Sequence, residues 1–335
     1  MGGLFKGCVV LALIWSGWWW LAATLVERQV SQWFAARLAE GWQADVGALN
    51  VTGFPAVLNA QITDIAVQDP VEQVSAEATE LEVLMPAYWP GDITLRLPET
   101  PLKIANSAGT YFLRATDGLA ALETHPGLSL QLESLSAMAG AWEVNTPQGN
   151  LLNGTDLTAT FRQDAEQDTL YRLSIEATDF APGDLLRSTL AIPAVWPDVF
   201  EALTLAAEVS FDAPLDRTAQ NHTQPQPRSF TLNTLDLRWY EIALRGSGAV
   251  AIDASGTPEG NLQLVVDGWQ TLLAQAKRSG TVPTARMLQW ELTLNAIANL
   301  GNRSETLEID LRFAEGQAFL GPISLGPAPR IQIPY

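Results

Sequence analysis

"WSGWWWLAATLVER", residues 15–28, decides how the rest of the chain is read. Three structures suit such a stretch: the end of a cleavable signal, a membrane anchor that stays, or a helix buried in a soluble core. From Gly7 to Val26 no side chain is charged, and about 20 residues at about 1.5 Å each cover about 30 Å, one bilayer core. A secretory signal has a shorter apolar region, about 7–15 residues, followed by small residues at the cleavage site. Here the run closes on Trp18, Trp19, Trp20 and Leu21, and no Ala-x-Ala pattern follows. Buried soluble helices are rarely apolar on every face. The segment therefore reads as an uncleaved signal anchor over residues 7–26. Trp15, Trp18, Trp19 and Trp20 mark it as the membrane-contacting part, since indole rings favour the headgroup level. Lys6 and the amino terminus place residues 1–6 in the cytoplasm, with the bulk of the chain across the membrane.

The helical period continues past the anchor. Val26, Val30, Trp33, Phe34, Leu38 and Trp42 recur at three- and four-residue steps, one face of an amphipathic helix. A connecting helix is expected over residues 27–46, its end bracketed by Gly41 and the turn-forming "TGFP" at Thr52–Pro55. Trp33, Phe34 and Trp42 are large enough to seed a core, so this face is expected to pack on the domain that follows rather than on the membrane.

Beyond Pro55 the dominant period is two. Ile93, Leu95 and Leu97 alternate with polar residues, as do Leu128, Leu130 and Leu132, then Tyr171, Leu173 and Ile175. Phe230 and Leu232, followed by Leu235, Leu237 and Trp239, keep the pattern with a one-residue slip that predicts a β-bulge. Leu307, Ile309, Leu311 and Phe313 repeat it near the end. Such alternation predicts antiparallel strands with one wet and one apolar face. Helices are expected at Leu185–Thr189, Trp269–Lys277 and Met287–Leu300, the second started by Asp267 and stopped by Gly280, the third ended near Gly301. In the third, strand spacing of Leu288, Trp290, Leu292 and Leu294 competes with helical spacing. Residues 216–229 are almost without apolar side chains and read as a flexible loop. The fold class is α+β, mainly β. An N-terminal transmembrane helix precedes an elongated, mostly antiparallel curved sheet over residues 47–335, packed by amphipathic helices and offering an open groove.

Composition removes several functions. With 37 acidic against 19 basic residues the net charge is −18, which repels nucleic acid and anionic headgroups. The one cysteine, Cys8, lies inside the apolar run, so disulfides and thiolate chemistry are excluded from the rest of the chain. His125 and His222 have turn surroundings and read as surface residues. No calcium loop, nucleophile elbow or phosphate loop occurs. "RGSGAV" at Arg245–Val250 lacks the third glycine of a dinucleotide fingerprint and opens a strand. Glu80 and Glu82 sit on the wet side of a strand. Asn50, Asn153, Asn221 and Asn302 begin Asn-x-Ser/Thr triplets, which matter only in a glycosylating pathway. No catalytic residue, metal site or cofactor is expected, and the chain does not read as an enzyme.

The carboxyl end brings a resemblance. Glu315-Gly316, Leu320-Gly321-Pro322 and Gly326-Pro327-Ala328-Pro329-Arg330 follow the strand "LEIDLRF". This looks like the closing motif of domain-of-unknown-function family 2125, whose members are bitopic envelope proteins of Gram-negative bacteria. The anchor, "GFP" at Gly53–Pro55 and the block Ala243–Val266 are shared features; Ala56 stands where an aromatic residue is expected. The Gly-x-Gly rhythm of that block resembles, more distantly, AsmA-type proteins, anchored by one helix and extending a curved sheet into the periplasm. That resemblance implies lipid handling on an apolar sheet face. It also implies a single-pass inner-membrane location, with the carboxyl-terminal domain periplasmic.

Two functions follow as expectations. In one, the sheet face binds phospholipid through Leu95, Leu97, Leu130, Leu132, Leu173, Leu237, Leu264 and Leu311, each of which is also a natural core residue. In the other, the face is closed by the helices and the chain is a membrane-tethered scaffold or accessory subunit for another envelope protein. The expected partner common to both is the lipid bilayer, through the N-terminal helix.

Overall fold

The computed structural model describes residues 2–333 apart from 72, 90, 195, 218–223, 280–283 and 301–304. His222, Asn221, Asn302, Gly280 and Gly301, singled out from the sequence, lie outside the described residues. One helix, α1 (Gly2–Ala39), carries the apolar run and its continuation without a break. Among the described residues it is the one helix long and apolar enough to cross a membrane. It stops earlier than the periodicity predicts. Gly41 takes a left-handed φ of +90°, the Trp42 N–H returns to the Arg37 carbonyl at 3.0 Å, and Gln43–Asp45 becomes β1 instead. A glycine in that conformation ends helices because it carries no Cβ to clash. Of the three aromatics expected to seed a core, only Phe34 is buried. The Arg37 guanidinium lies over both other rings, 5.8 Å from Trp33 and 5.3 Å from Trp42.

The chain divides into two compact units, Met1–Pro126 with Ala137–Pro147, and Gly127–Ser136 with Gln148–Tyr335. The polar segment 216–229 lies within the second. After β1, the first unit holds β2 (Leu49–Thr52), β3 (Val57–Asp69), β4 (Val74–Pro86), β5 (Ile93–Arg96), β6 (Leu102–Asn106), β7 (Gly109–Ala115) and β8 (Leu119–Thr124). The next strand, β9 (Leu132–Ala139), spans the division, and β10 (Trp142–Thr146) pairs with β7. The second unit continues with β11 (Gly149–Gln163), β12 (Leu170–Pro182), α2 (Asp184–Thr189), β13 (Ala202–Phe211), β14 (Pro227–Trp239) and β15 (Ile242–Ile252). It ends with β16 (Pro258–Asp267), α3 (Trp269–Ser279), α4 (Thr284–Leu300), β17 (Thr306–Ala314), β18 (Gln317–Leu320) and β19 (Ile323–Pro327). After one apolar helix, the nineteen strands among the described residues pair antiparallel within each unit. The expected fold class holds.

Three local expectations change. Leu128, Leu130 and Leu132 do not form one strand: β9 begins at Leu132, Leu130 adopts a left-handed φ of +48° and Leu128 is exposed. The polar stretch does not stay loop to its end, since Pro227–Ser229 already belongs to β14 and the Gln226 side chain bonds to Ile333 on both sides of its amide. The competing strand reading of Leu288–Leu294 gives way to α4. The slip in β14 is present: the register with β15 shifts between Leu232 and Leu235.

Register places the alternating residues of the second unit on one face. Leu173 lies opposite Phe161 and Ala207, Leu237 opposite Leu203 and Leu244, and Leu264 opposite Gly246 and Ile309. Leu311 lies opposite Leu262 and Leu320. One end of this face is closed by α3 and α4, where Trp269 and Ala298 are buried against Leu307 and Ile309 with Leu264, Val266 and Leu320 beside them. Another part is closed by Trp196, Trp239 and Ile242 with Ile192 and Phe200. Close strand approach relies on Gly248, whose φ is +143°; a Cβ there would stand 2.3 Å from the Asn261 carbonyl oxygen.

Candidate functional site

The site grows from two 13-residue strands, β3 and β4, and the helix laid along them. On β3 the side chains of Leu58, Ala60 and Ile62 point to one face and are buried. Their cross-strand partners on β4 are Met85, Val83 and Leu81, and Val83 in turn lies opposite Leu95 of β5. The alternate positions carry the charge, Glu82 bonding to Asn59 and Arg96. Period-two alternation thus separates a dry face from an ionic one.

α1 covers the dry face. Ala22 and Ala23 are buried with Leu58, Ala60, Met85 and Ala87, while Trp19, Val26, Leu49, Val51 and Val83 pack around them. Small side chains on both surfaces let helix and sheet come close. The tryptophans do more than pack. Trp15 Nε1 donates to the Pro55 carbonyl at 2.8 Å, Trp18 Nε1 to that of Ala87 at 2.9 Å, and Trp19 Nε1 to that of Val57 at 2.9 Å. Trp19 also meets Phe54 edge to face, centroids 5.6 Å apart. These bonds fix the helix to the ends of two turns, Thr52–Val57 and Pro86–Ile93.

Beyond the alanine contact the surfaces part and leave an apolar cleft of about 390 Å³. Trp18, Leu25, Val26 and Val30 line it from α1, and Ile62, Val83, Met85 and Ile93 from the sheet. Its polar groups are the Gln29 amide and the Trp18 N–H already bonded to Ala87. No titratable side chain lines it. Its size is that of a small-molecule site, and its chemistry suits hydrocarbon.

The leucines chosen from sequence do not line this cleft. Leu95 shares its sheet face one strand over, beside Val83, and Leu97 packs where a Gly118 Cβ would stand. Leu130, Leu132, Leu173, Leu237, Leu264 and Leu311 belong to the second unit. Of the tryptophans, Trp18 lines the cleft, Trp15 and Trp19 tie the turns, and Trp20 is exposed. The alternation that carries the site, Leu58-Ala60-Ile62 and Leu81-Val83-Met85, was available in the sequence. Alanine at its centre weakened that signal.

Groups with displaced acidity lie elsewhere and serve the framework. The Asp164 carboxyl is held below its ordinary value, first by the Glu166 N–H, then by the Gln167 N–H and Arg172. The Tyr171 hydroxyl is pushed up by burial; it accepts the Leu215 N–H at 3.1 Å, and its ring stacks on Phe161. Asp253 in the β15–β16 turn is held low, first by the Thr257 N–H and then by the Ser255 hydroxyl. Among the described residues no group of three or more His, Cys, Asp or Glu side chains is placed to hold a metal ion.

Comparison with known families places the chain. It belongs to the family described as "uncharacterized protein conserved in bacteria (DUF2125)", whose model matches residues 19–329. A search of curated proteins returns no match.

Proposed function

We propose that this protein is a non-enzymatic, single-pass inner-membrane protein whose β-rich units lie in the periplasm, and that it binds the acyl part of a lipid in the cleft between α1 and β3–β5. The observation that carries this reading is the cleft itself: about 390 Å³, walled by aliphatic and aromatic side chains, and flanked by the apolar helix. Burial of hydrocarbon from water is worth about 0.8 kcal/mol per methylene, which supplies affinity with no charged handle. The test is a phospholipid carrying a photoreactive acyl chain, incubated with the full chain in detergent micelles. Crosslinks are expected in the peptides covering Ala22–Val30 and Ile62–Met85. Crosslinks spread evenly over α1, with none on the strands, would defeat the reading.

A scaffold role has one feature in its favour. Leu288 and Leu292 on α4 are 59% and 66% exposed, although Met287 and Ala298 on the same helix are buried. Crosslinking in intact cells through a photoreactive residue at 288 would capture one defined envelope protein if this face docks a partner.

A further inference from the structure

The anchor is too short to cross a bilayer before it meets the sheet. Residues 7–14, the part of the anchor before the sheet, are exposed on all sides and, at about 1.5 Å per residue, span about 12 Å, less than half of a hydrocarbon core of about 30 Å. From Trp15 onward one side of α1 is bonded to Pro55, Ala87 and Val57. A crossing helix therefore takes its second half from residues that already carry the two turns.

We infer that the turns Thr52–Val57 and Pro86–Ile93 are seated in the domain-side leaflet, so that the cleft opens directly onto lipid. This rests on the membrane-anchor reading given above. Three further observations point the same way. The turns present Phe54 and Tyr88 outward, 56% and 73% exposed, and on the helix Trp20 is 68% exposed. In a chain of net charge −18, no charged residue occurs from Val46 to Thr63 or from Val83 to Gly91, and Asp92, which closes the second turn, has its carboxylate taken by the Thr124 N–H at 3.0 Å; Asp64, Asp69, Glu77, Glu80 and Glu82 follow towards the other end of β3–β4. Finally, a turn in hydrocarbon must have its carbonyls satisfied without water. The carbonyls of Pro55, Val57 and Ala87 receive indole N–H donors from the helix. Ala87 is fully buried and its carbonyl needs a donor in any surroundings, but Pro55 is exposed, and in water its carbonyl would be solvated without help. Within a leaflet, the Trp15 N–H solves the problem that immersion creates there.

The experiment reads depth. Nitroxide labels are placed at Phe54→Cys, Tyr88→Cys and Val71→Cys in a Cys8→Ser background, and separately on the native Cys8. The full chain is reconstituted in nanodiscs of phosphatidylethanolamine and phosphatidylglycerol. Accessibility to oxygen is compared with accessibility to a water-soluble nickel chelate. Labels at 8, 54 and 88 are expected to favour oxygen, and the label at 71, beyond the far end of β3, to favour nickel. If 8 favours oxygen while 54 and 88 behave like 71, the helix is anchored and the seating of the turns is overturned. If 8 also favours nickel, the anchor reading falls, and the seating with it. Because labels at the turns replace aromatic rings, a second measurement uses the unsubstituted turns. A phospholipid photoreactive at the glycerol level should label the peptide containing Phe54 or Tyr88, and labelling confined to α1 overturns the proposal. Retention of a lipid in the cleft is scored independently by acyl-chain crosslinking, so either idea survives the loss of the other.

Discussion

Val83→Phe is the most direct perturbation of the cleft. Val83 points from β4 into the open space, and its neighbour across the strand pair is Ala60, too small to fill it. A phenyl ring suits a strand and brings no polar atom needing a partner. A buried phenylalanine covers about 150 Å², worth about 4 kcal/mol at about 25 cal/mol per Å². Val83 already occupies part of that room, so about half, about 2 kcal/mol, is contact newly taken from an acyl chain. At about 1.4 kcal/mol per tenfold, lipid retention should fall about 30-fold. The assay is native mass spectrometry of the full chain after detergent exchange, counting phospholipid per chain, with thermal unfolding measured alongside. Because the ring enters existing space, the melting temperature should hold or rise slightly. In a filled interior the same change overpacks and costs about 1–3 kcal/mol. Unchanged lipid retention together with clear destabilisation would refute the reasoning, since it would mean that no open cleft stands beside Val83.

Four other outcomes test the framework. Leu58→Ala removes a fully buried side chain from the helix–sheet contact and should cost about 3–4 kcal/mol, read as lost exchange protection of β3 and β4 amides because two units need not unfold together. Trp19→Phe keeps the ring but loses the Val57 bond; about 1 kcal/mol of local stability should go, read by the same exchange measurement. Gly248→Ala puts a Cβ 2.3 Å from a backbone oxygen and should destabilise by about 2–3 kcal/mol in denaturant titration of the second unit. The Asp253 carboxyl, its pKa held below the ordinary value by the Thr257 N–H and the Ser255 hydroxyl, stabilises the fold above the unfolded value of about 3.9, and that contribution is lost as pH falls through the lower folded value. Asp253→Ala should therefore flatten the loss of stability below about pH 4, measured as the melting temperature against pH.

Much of the fold was legible because alternation is a strong signal where large aliphatics carry it. The bulge in β14 and the strand β17 both follow from leucine, isoleucine and phenylalanine spacing. The site was less legible for the same physical reason inverted. Its floor holds Ala60 opposite Val83, and its contact with the helix uses Ala22, Ala23 and Ala87; small residues mark close approach but add little to a periodic pattern. Leu130 misled because its alternation with Leu128 and Leu132 ignored "THPG", residues 124–127, immediately before it, whose proline and glycine break a strand. The helix end at Ala39 was set by Gly41, a signal that was present but outweighed by the helical spacing of Trp42.

The tryptophan stretch gains two tasks that a single hydropathy reading treats as one. Its exposed rings face the surroundings of the helix, while its N–H groups hold the ends of the sheet turns. Hydropathy registers the first and is blind to the second. The distinction bears on how the proposed cleft would work. An acyl chain leaving a leaflet for a cleft exchanges one apolar environment for another, because lipid tails are as apolar as leucine. The methylene gain that holds a lipid against water is then nearly cancelled against a bilayer. Occupancy is set by packing fit and by the cost of opening the entrance, and a site with no charged handle adds no ionic attraction to either. Such a cleft releases lipid about as readily as it accepts it. That behaviour suits passage or sensing rather than storage. It also predicts that lipid retained in detergent, where no leaflet competes, will exchange freely once the chain is returned to a bilayer; labelled acyl chains that remain bound through reconstitution and repeated nanodisc exchange would contradict it.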